Sequence, residues 1–240
     1  MNNCLVSKLK SKVDNPHLPI LNGLFLECEK VDDKSPNTIL QIGAKPGESV
    51  IAEIVSGNAN FSDGTKKWIV PVSTEKYSPT NQISGSGPFR IIIYNKYGLS
   101  GFGTTSLRSS GMVFASELSE FYSIKELRFF TTLGAPMPGE MNIEKMDWSK
   151  IIYCVCNQRS MNGSILSFSN STNCQEIYIM DSNVTGSINE LAEALKNTHV
   201  AGNLLIRSDF NGVTYNGATF LSKTITFDGN GNYTISDSQV

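Results

Sequence analysis

The clearest hydrophobic pattern in this chain is a degenerate repeat in its C-terminal half. Ile152 begins an alternating apolar run that aligns with a second run beginning at Ile177. Gly163, in a Gly-Ser-Ile sequence, aligns with Gly186 in another, so the two copies are offset by 25 residues at the start and 23 at the end. The two-residue difference is expected in the polar turn between the two parts of each copy. A strand, a polar turn and an apolar anchor repeated in this way are typical of leucine-rich repeats, whose units stack into an array.

Further apolar segments extend this pattern toward the C-terminus. Leu191, Ala192 and Leu195 fall on one face of a helix that the spacing predicts over 187–196. The other predicted elements are a short helical turn at 116–121, an earlier, weaker copy of the repeat at 124–129, and strands at 204–206, 224–227 and 233–235. The last two strands form a hairpin, which we expect to end the array.

The pattern changes in the N-terminal half, where short apolar runs alternate with polar, Gly- or Pro-containing turns. These runs lie at 24–28, 38–42, 49–54, 67–72 and 89–94. Short alternating strands of this kind predict an antiparallel β-sandwich or barrel over 24–110, and the glycine-rich stretch 98–103 is interpreted as a loop that leads out of it. The expected fold class is therefore mixed α/β, with this β-rich domain followed by a leucine-rich-repeat-like strand/helix array over 111–240.

A leader of residues 1–23 precedes these two domains. Apolar residues at helical spacing and lysines around them predict a short amphipathic helix that ends before Pro16 and Pro19. The residues of this candidate docking segment are Leu5, Val6, Lys8, Leu9, Lys10 and Val13. Two interpretations stay open, since such a leader either packs on its own domain or docks on a partner.

Composition narrows the function classes. With 240 residues, 40% of them hydrophobic, the chain can bury one large or two small cores, and we expect two domains. A formal net charge of -2 lacks the basic excess of nucleic-acid-binding proteins. No apolar run approaches the roughly 20 residues of a membrane-spanning helix, so membrane insertion is not expected. The N-terminus lacks the apolar core of a signal peptide, which predicts a protein made and kept in the cytoplasm.

No combination of residues forms a recognised catalytic or metal-binding motif. The five cysteines are an odd number, and Cys154, Cys156 and Cys174 lack a convincing fourth ligand, so Cys154 is predicted as a small core residue. His17 and His199 have no Ser, Cys or Asp partner in a known arrangement. We therefore predict no catalytic residues, no cofactor and no metal, and a protein that is not an enzyme.

The segment 228–232 carries alternating oxygen side chains, as in the first half of a calcium-binding loop. The position where such a loop needs Gly is Tyr233, and the position of its bidentate Glu is Gln239. A hairpin turn is therefore the preferred interpretation.

Two segments carry a family resemblance. Residues 183–188, Asn-Val-Thr-Gly-Ser-Ile after a predicted strand, resemble the degenerate leucine-rich repeats of BspA-like proteins, which are common in gut Bacteroidales and their phages. The opening residues 3–10, together with 18–21, are similar to the start of virion proteins in crAss-like phages.

The resemblance implies a non-enzymatic phage virion structural protein, such as a head fibre or tail appendage. Its N-terminal part would dock on the particle and its repeat domain would serve adhesion to the host or another surface. The implied partners are a second or third copy of the chain (a homo-dimer or homo-trimer), other virion proteins such as the capsid, and a host cell-surface glycan or protein. The implied location is the virion, assembled in the host cytoplasm. Two alternatives stay open: a bacterial BspA-like adhesion protein and a surface-glycan-processing enzyme.

Overall fold

The computed structural model describes residues 23–30, 38–76, 79–85, 87–105, 117–131, 139–156, 159–209 and 212–238. The protein is mostly β, with 47% strand and 14% helix, and ten strands lie in one large mixed sheet. The expected fold class, mixed α/β with a sandwich or barrel and a strand/helix array, is therefore wrong. The leader with its candidate docking residues lies outside the described residues, as does the expected domain boundary at 110.

The strands before residue 106 pair with one another in antiparallel fashion. They are β1 (Leu24–Lys30), β2 (Thr38–Ala44), β3 (Ile51–Ser56), β4 (Asn60–Phe61), β5 (Lys67–Ile69), β6 (Thr80–Ser84), β7 (Gly87–Tyr94) and β8 (Leu99–Thr105). A 3-10 helix, Lys96–Gly98, precedes β8. One sheet has the order β1-β7-β3-β5, and β8, β2, β6 and β4 form one end of the ten-stranded sheet. All five strands predicted in this region are confirmed.

The later strands form two parallel stacks joined by short helical segments. They are β9 (Phe129–Thr131), β10 (Met141–Asn142), β11 (Tyr153–Cys156), β12 (Met161–Ser164), β13 (Glu176–Ile179), β14 (Asn183–Ser187), β15 (Gly202–Ser208) and β16 (Val213–Tyr215). β9, β11, β13 and β15 continue the ten-stranded sheet from β8. β10, β12, β14 and β16 belong to the third, five-stranded sheet. Each unit thus contributes one strand to each sheet, with the apolar core between them.

The strands after β16 pair with their neighbours in antiparallel fashion. β17 (Ala218–Thr219) ends the five-stranded sheet, and β18 (Ser222–Phe227) and β19 (Tyr233–Asp237) form a hairpin that ends the ten-stranded sheet beside β15. The predicted terminal hairpin is confirmed.

Polar caps explain where the helical segments begin. The side chains of Asn142, Ser164 and Ser187 each accept a hydrogen bond from the backbone N–H two residues later, at 2.8, 3.2 and 3.2 Å. They precede the 3-10 helices Ile143–Lys145 and Ile165–Phe168 and the α-helix α1 (Ile188–Leu195). The predicted helix is confirmed, with its apolar face buried. A further 3-10 helix, Leu118–Ser123, lies where a helical turn was predicted.

The strand/helix array fails as a prediction because the units have little helix and an additional strand. Residues 165–171, Ile-Leu-Ser-Phe-Ser-Asn-Ser, contain serines and an asparagine, whose side chains compete for backbone hydrogen bonds and shorten a helix to a single turn. The predicted polar turns also contain β12 and β14, since main-chain pairing to the next unit does not require apolar side chains.

The predicted repeat register is wrong by two residues in the first strand. Cys154, not Ile152, lies opposite Ile177, and Cys156 lies opposite Ile179. A slip of two residues keeps the same side chains on the inner face, so the predicted core face is right although the partners are not. In this register Tyr153 lies on the outer face, where its ring stacks on Phe129 of β9.

The glycine-rich stretch predicted as an exit loop is largely the strand β8. Gly103 pairs with Thr131, and a Cβ atom at Gly103 would lie only 2.9 Å from Cζ of Phe129. The glycine therefore makes room for an aromatic ring on the neighbouring strand, a close approach that the sequence pattern does not reveal.

Candidate functional site

A broad, shallow groove of about 1070 Å³ crosses the outer face of the ten-stranded sheet near its C-terminal edge. Its floor comes from β13, β15, β18 and β19, and its far end from the segments that precede β9 and β11. Seven of the seventeen lining residues carry an amide or hydroxyl group: Asn173, Gln175, Asn203, Thr224, Thr226, Ser236 and Ser238. The groove therefore offers hydrogen bonds along an open surface rather than an enclosed apolar pocket.

The floor residues stand side by side because the strands are in register. Glu176, Leu205, Thr224 and Ser236 follow one another across the four strands. Side chains alternate between the two faces of a strand, so their neighbours Ile177, Ile206 and Ile225 point into the core and are fully buried. The core on one face thereby holds Glu176, Thr224 and Ser236, with Leu205 among them, on the other.

Charges in the groove are distributed unevenly. The carboxylate of Glu176 pairs with Lys76, and that of Asp237 accepts from Lys223 at 2.6 Å. Arg128 and Lys150 line the opposite end. Both acids are thus neutralised by lysines. The end of the groove near β9 and β11, in contrast, carries the two cations Arg128 and Lys150.

A ladder of aromatic rings borders the groove on the outer face. The Phe129 ring stacks on Tyr153 with centroids 5.4 Å apart, and Tyr153 meets Tyr178 edge-on at 5.5 Å. The Arg207 guanidinium carbon lies 4.9 Å from the Tyr178 ring centre, and the Tyr178 hydroxyl donates to Glu176 at 2.8 Å. These contacts reach the groove lining at Glu176, whose carboxylate they help to position.

His199 closes the groove at the exit of α1. Its Nδ1 lies 2.7 Å from the carbonyl oxygen of Val200, and its Nε2 lies 2.9 Å from that of Cys174. The ring is buried and stacks on Phe227 at 4.4 Å. Because both ring nitrogens lie within hydrogen-bond distance of backbone carbonyl oxygens, the imidazole of His199 links the exit of α1 to the segment before β13.

The three described thiols belong to the core. Cys154 and Cys156 are fully buried with their sulfurs 3.6 Å apart, and Cys174 lies 3.7 Å from the Ile152 and Glu176 carbonyl oxygens. Burial raises the pKa of Cys154 well above its usual range and that of Cys174 to about 12. Cys154 and Cys174 are therefore protonated and unreactive at neutral pH, and the burial of Cys154 confirms its predicted core role.

The segment 228–232 forms the turn between β18 and β19. Asp228 accepts hydrogen bonds from the backbone N–H groups of Asn230 and Asn232 and from the Asn232 side chain, at 2.7, 3.1 and 2.8 Å. These bonds, the Asn232 side chain first, lower the pKa of the Asp228 carboxyl group. The hairpin turn predicted in preference to a calcium loop is confirmed.

Sequence analysis did not identify the groove residues, because they come from six segments and share no motif. Arg128, for example, has no neighbour in the chain that suggests a site. The outer positions of the predicted strands at 204–206 and 224–227, which carry Leu205, Thr224 and Thr226, were the available signal. Their alignment into one surface depends on the register of neighbouring strands.

Two further findings bear on function. Within the part of the chain that the structure describes, no helix is long and apolar enough to cross a membrane. Comparison with protein-family models, curated proteins and solved structures gave no match to this chain. The functional proposal therefore rests on the groove and on the residues that surround it.

Proposed function

We propose that this protein is a non-enzymatic phage virion structural protein, a head fibre or similar surface appendage. Its N-terminal part docks on the particle, and the C-terminal strand stacks are displayed for adhesion to the host or another surface. The groove on the outer face of the ten-stranded sheet is the observation that supports this proposal.

The shape and chemistry of the groove suit a binding surface. It is open, its floor is a rigid sheet backed by the core, and polar side chains lie in register on three of its four strands, with Leu205 on the other. Rigid placement lowers the entropy that binding costs. Burial raises the pKa of the Cys154 and Cys174 thiols, so these two offer no thiolate nucleophile at neutral pH.

An open groove gives a weak individual contact, and display on a particle compensates for this weakness. When many copies bind one cell surface together, the effective concentration of the second site raises avidity about 10²- to 10⁴-fold without any new contact. We therefore expect a homo-dimer or homo-trimer anchored to virion proteins such as the capsid.

The proposal is tested by comparing phage particles with and without the protein. Antibody labelling should place it on a surface projection, and particles that lack it should lose that projection and adsorb to host cells at least about tenfold more slowly. Particles that keep every projection, or purified particles free of the protein, would overturn the proposal.

The role of the leader is tested separately. A chain without residues 1–23 should fold, as judged by an unchanged thermal unfolding transition, but should be lost from purified particles. Retention of the shortened protein at wild-type levels would exclude the segment from Leu5 to Val13 as the anchor.

A further inference from the structure

The groove resembles neither an enclosed small-molecule pocket nor an apolar protein interface. Pockets for drug-sized ligands are mostly apolar and bury most of the ligand surface. Here a space of about 1070 Å³ is open to solvent and lies above strands that carry amide and hydroxyl side chains. The geometry suits an extended, hydroxyl-rich ligand that lies across the strands.

The floor can donate and accept hydrogen bonds at closely spaced positions. The Thr226 hydroxyl donates to Oδ1 of Asn203 at 2.9 Å, which leaves the amide N–H groups of Asn203 directed to other acceptors. Thr224 and Ser238 share a hydrogen bond of 2.6 Å. Ser236, which pairs with Thr224, is exposed on β19. Hydroxyl and amide side chains are suited to sugar hydroxyls, because each sugar hydroxyl can both donate and accept a hydrogen bond.

The charges add a second requirement. Both acids in the groove already have lysine partners, Glu176 in Lys76 and Asp237 in Lys223. Arg128 and Lys150, by contrast, form no ion pair with any residue in the described ranges, and Lys150 is exposed. The end of the groove near β9 and β11 is therefore positive and available to a carboxylate.

We propose that this groove binds a carboxylated saccharide. Arg128 and Lys150 hold the carboxylate, and Asn203, Thr226 and Ser236 hold sugar hydroxyls across β15, β18 and β19. This proposal deepens the proposed function, on which its setting at a host surface rests, by naming the class of glycan. Uronic acids and sialic acids share the chemistry that the groove recognises.

Titration calorimetry or NMR titration of the full chain tests the proposal with two matched pairs of probes. Tetragalacturonate is compared with its methyl ester, and sialyllactose with the methyl ester of its own carboxyl group. In at least one pair the acidic probe should bind about tenfold more tightly than the neutral one, as one charge-assisted hydrogen bond would give. The pair that shows this difference identifies the source of the carboxylate. High salt should weaken that binding, because the groove is open to solvent.

Single-charge variants locate the binding. Arg128→Gln and Lys150→Gln should each weaken the acidic probe about tenfold and leave the neutral probe within about twofold. Lys67→Gln is the matched control, because Lys67 is an exposed lysine on β5 of the four-stranded sheet. This variant should change neither affinity. Unchanged thermal unfolding of Lys150→Gln, whose side chain is exposed, separates lost binding from lost folding.

The possible outcomes are decisive for this proposal and distinct from those for the virion role. Equal affinity for acidic and neutral probes, no binding of any probe at millimolar concentration, or equal weakening by Lys67→Gln would overturn it. If an acidic probe binds but the protein is absent from particles, the virion proposal fails and this one stands. If the protein is on particles but binds no probe, only this proposal fails.

Discussion

The stretch of the ten-stranded sheet from β9 to β19 differs at its two ends on the outer face, although it covers one continuous core. Near β9 and β11, Phe129, Thr131 and Val155 are at most 2% exposed, so this end of the stretch is buried on both faces. On β18 and β19, Thr226 and Ser236 are exposed. One sheet thus combines a part that is covered on both sides and supports the fold with a half-exposed part that is available for binding.

The largest effect should come from a truncation at the covered end. Phe129→Ala removes a ring that is 1% exposed and stacked on Tyr153, and should lower the free energy of unfolding by about 3–5 kcal/mol. Thr226→Ala, at an exposed position of β18 on the same face, should change it by no more than about 0.5 kcal/mol. Equilibrium urea unfolding measures both values. Similar losses for the two variants would show that the two ends do not differ in this way.

A smaller loss should follow from adding one carbon atom at the covered end. Gly103→Ala places a methyl group in overlap with the Phe129 ring and with Cγ2 of Thr131, and should destabilise the protein by about 1–3 kcal/mol. Phe129→Leu in the same chain should recover part of that loss, because it relieves the overlap with the ring while the overlap with Thr131 remains. A double-mutant cycle in urea checks the coupling, and strictly additive losses would contradict the close approach.

The inner face, which both ends share, should respond to alkaline pH through Cys174. Burial raises the pKa of its thiol from 9.0 to about 12. A raised folded-state pKa gives stability that is complete below pH 9.0 and is lost as the pH rises toward about 12. The wild type should therefore lose more stability over this range than Cys174→Ala does, as measured by urea unfolding at several pH values. Parallel curves for the two proteins would argue against the burial of this thiol.

The smallest effect is expected at the hairpin of the exposed end. The pKa of Asp228 is lowered from 3.8 by its bonds to Asn232 and Asn230. A lowered folded-state pKa gives stability that is present above pH 3.8 and is lost as the pH falls through the lower, folded-state value. Asp228→Asn should remove this acid dependence and weaken the turn slightly at neutral pH. Hydrogen exchange of the β18 and β19 amides, at neutral pH and below pH 3.8, measures the change. Identical protection in the wild type and the variant would contradict it.

Local patterns predicted most individual elements correctly. The alternating runs of the N-terminal half became β1, β2, β3, β5 and β7, and the apolar stripe of Leu191, Ala192 and Leu195 became α1. These elements depend on side-chain periodicity, which is encoded within a few residues. Strands with short or polar sequences, β4, β6, β12 and β14, were missed because their main-chain partners, rather than their side chains, define them.

The fold class and the site could not be obtained in the same way. The repeat predicted stacking, but the additional strand in each unit and the shift from Ile152 to Cys154 opposite Ile177 came from pairing between units. The groove needs Arg128, Lys150 and Thr226 on one surface, although nearly 100 residues separate the first from the last.

The sequence by itself determined which side chains face inward, because alternation within a strand and the stripe on a helix are local properties. It also determined the polar caps and the Asn-rich terminal turn, whose hydrogen bonds span only a few residues. Only the tertiary structure decided the register between units, the burial of Phe129 against Gly103 and the alignment of the groove. Those features depend on the hydrogen bonds and close contacts of strands far apart in the chain, which no local pattern contains.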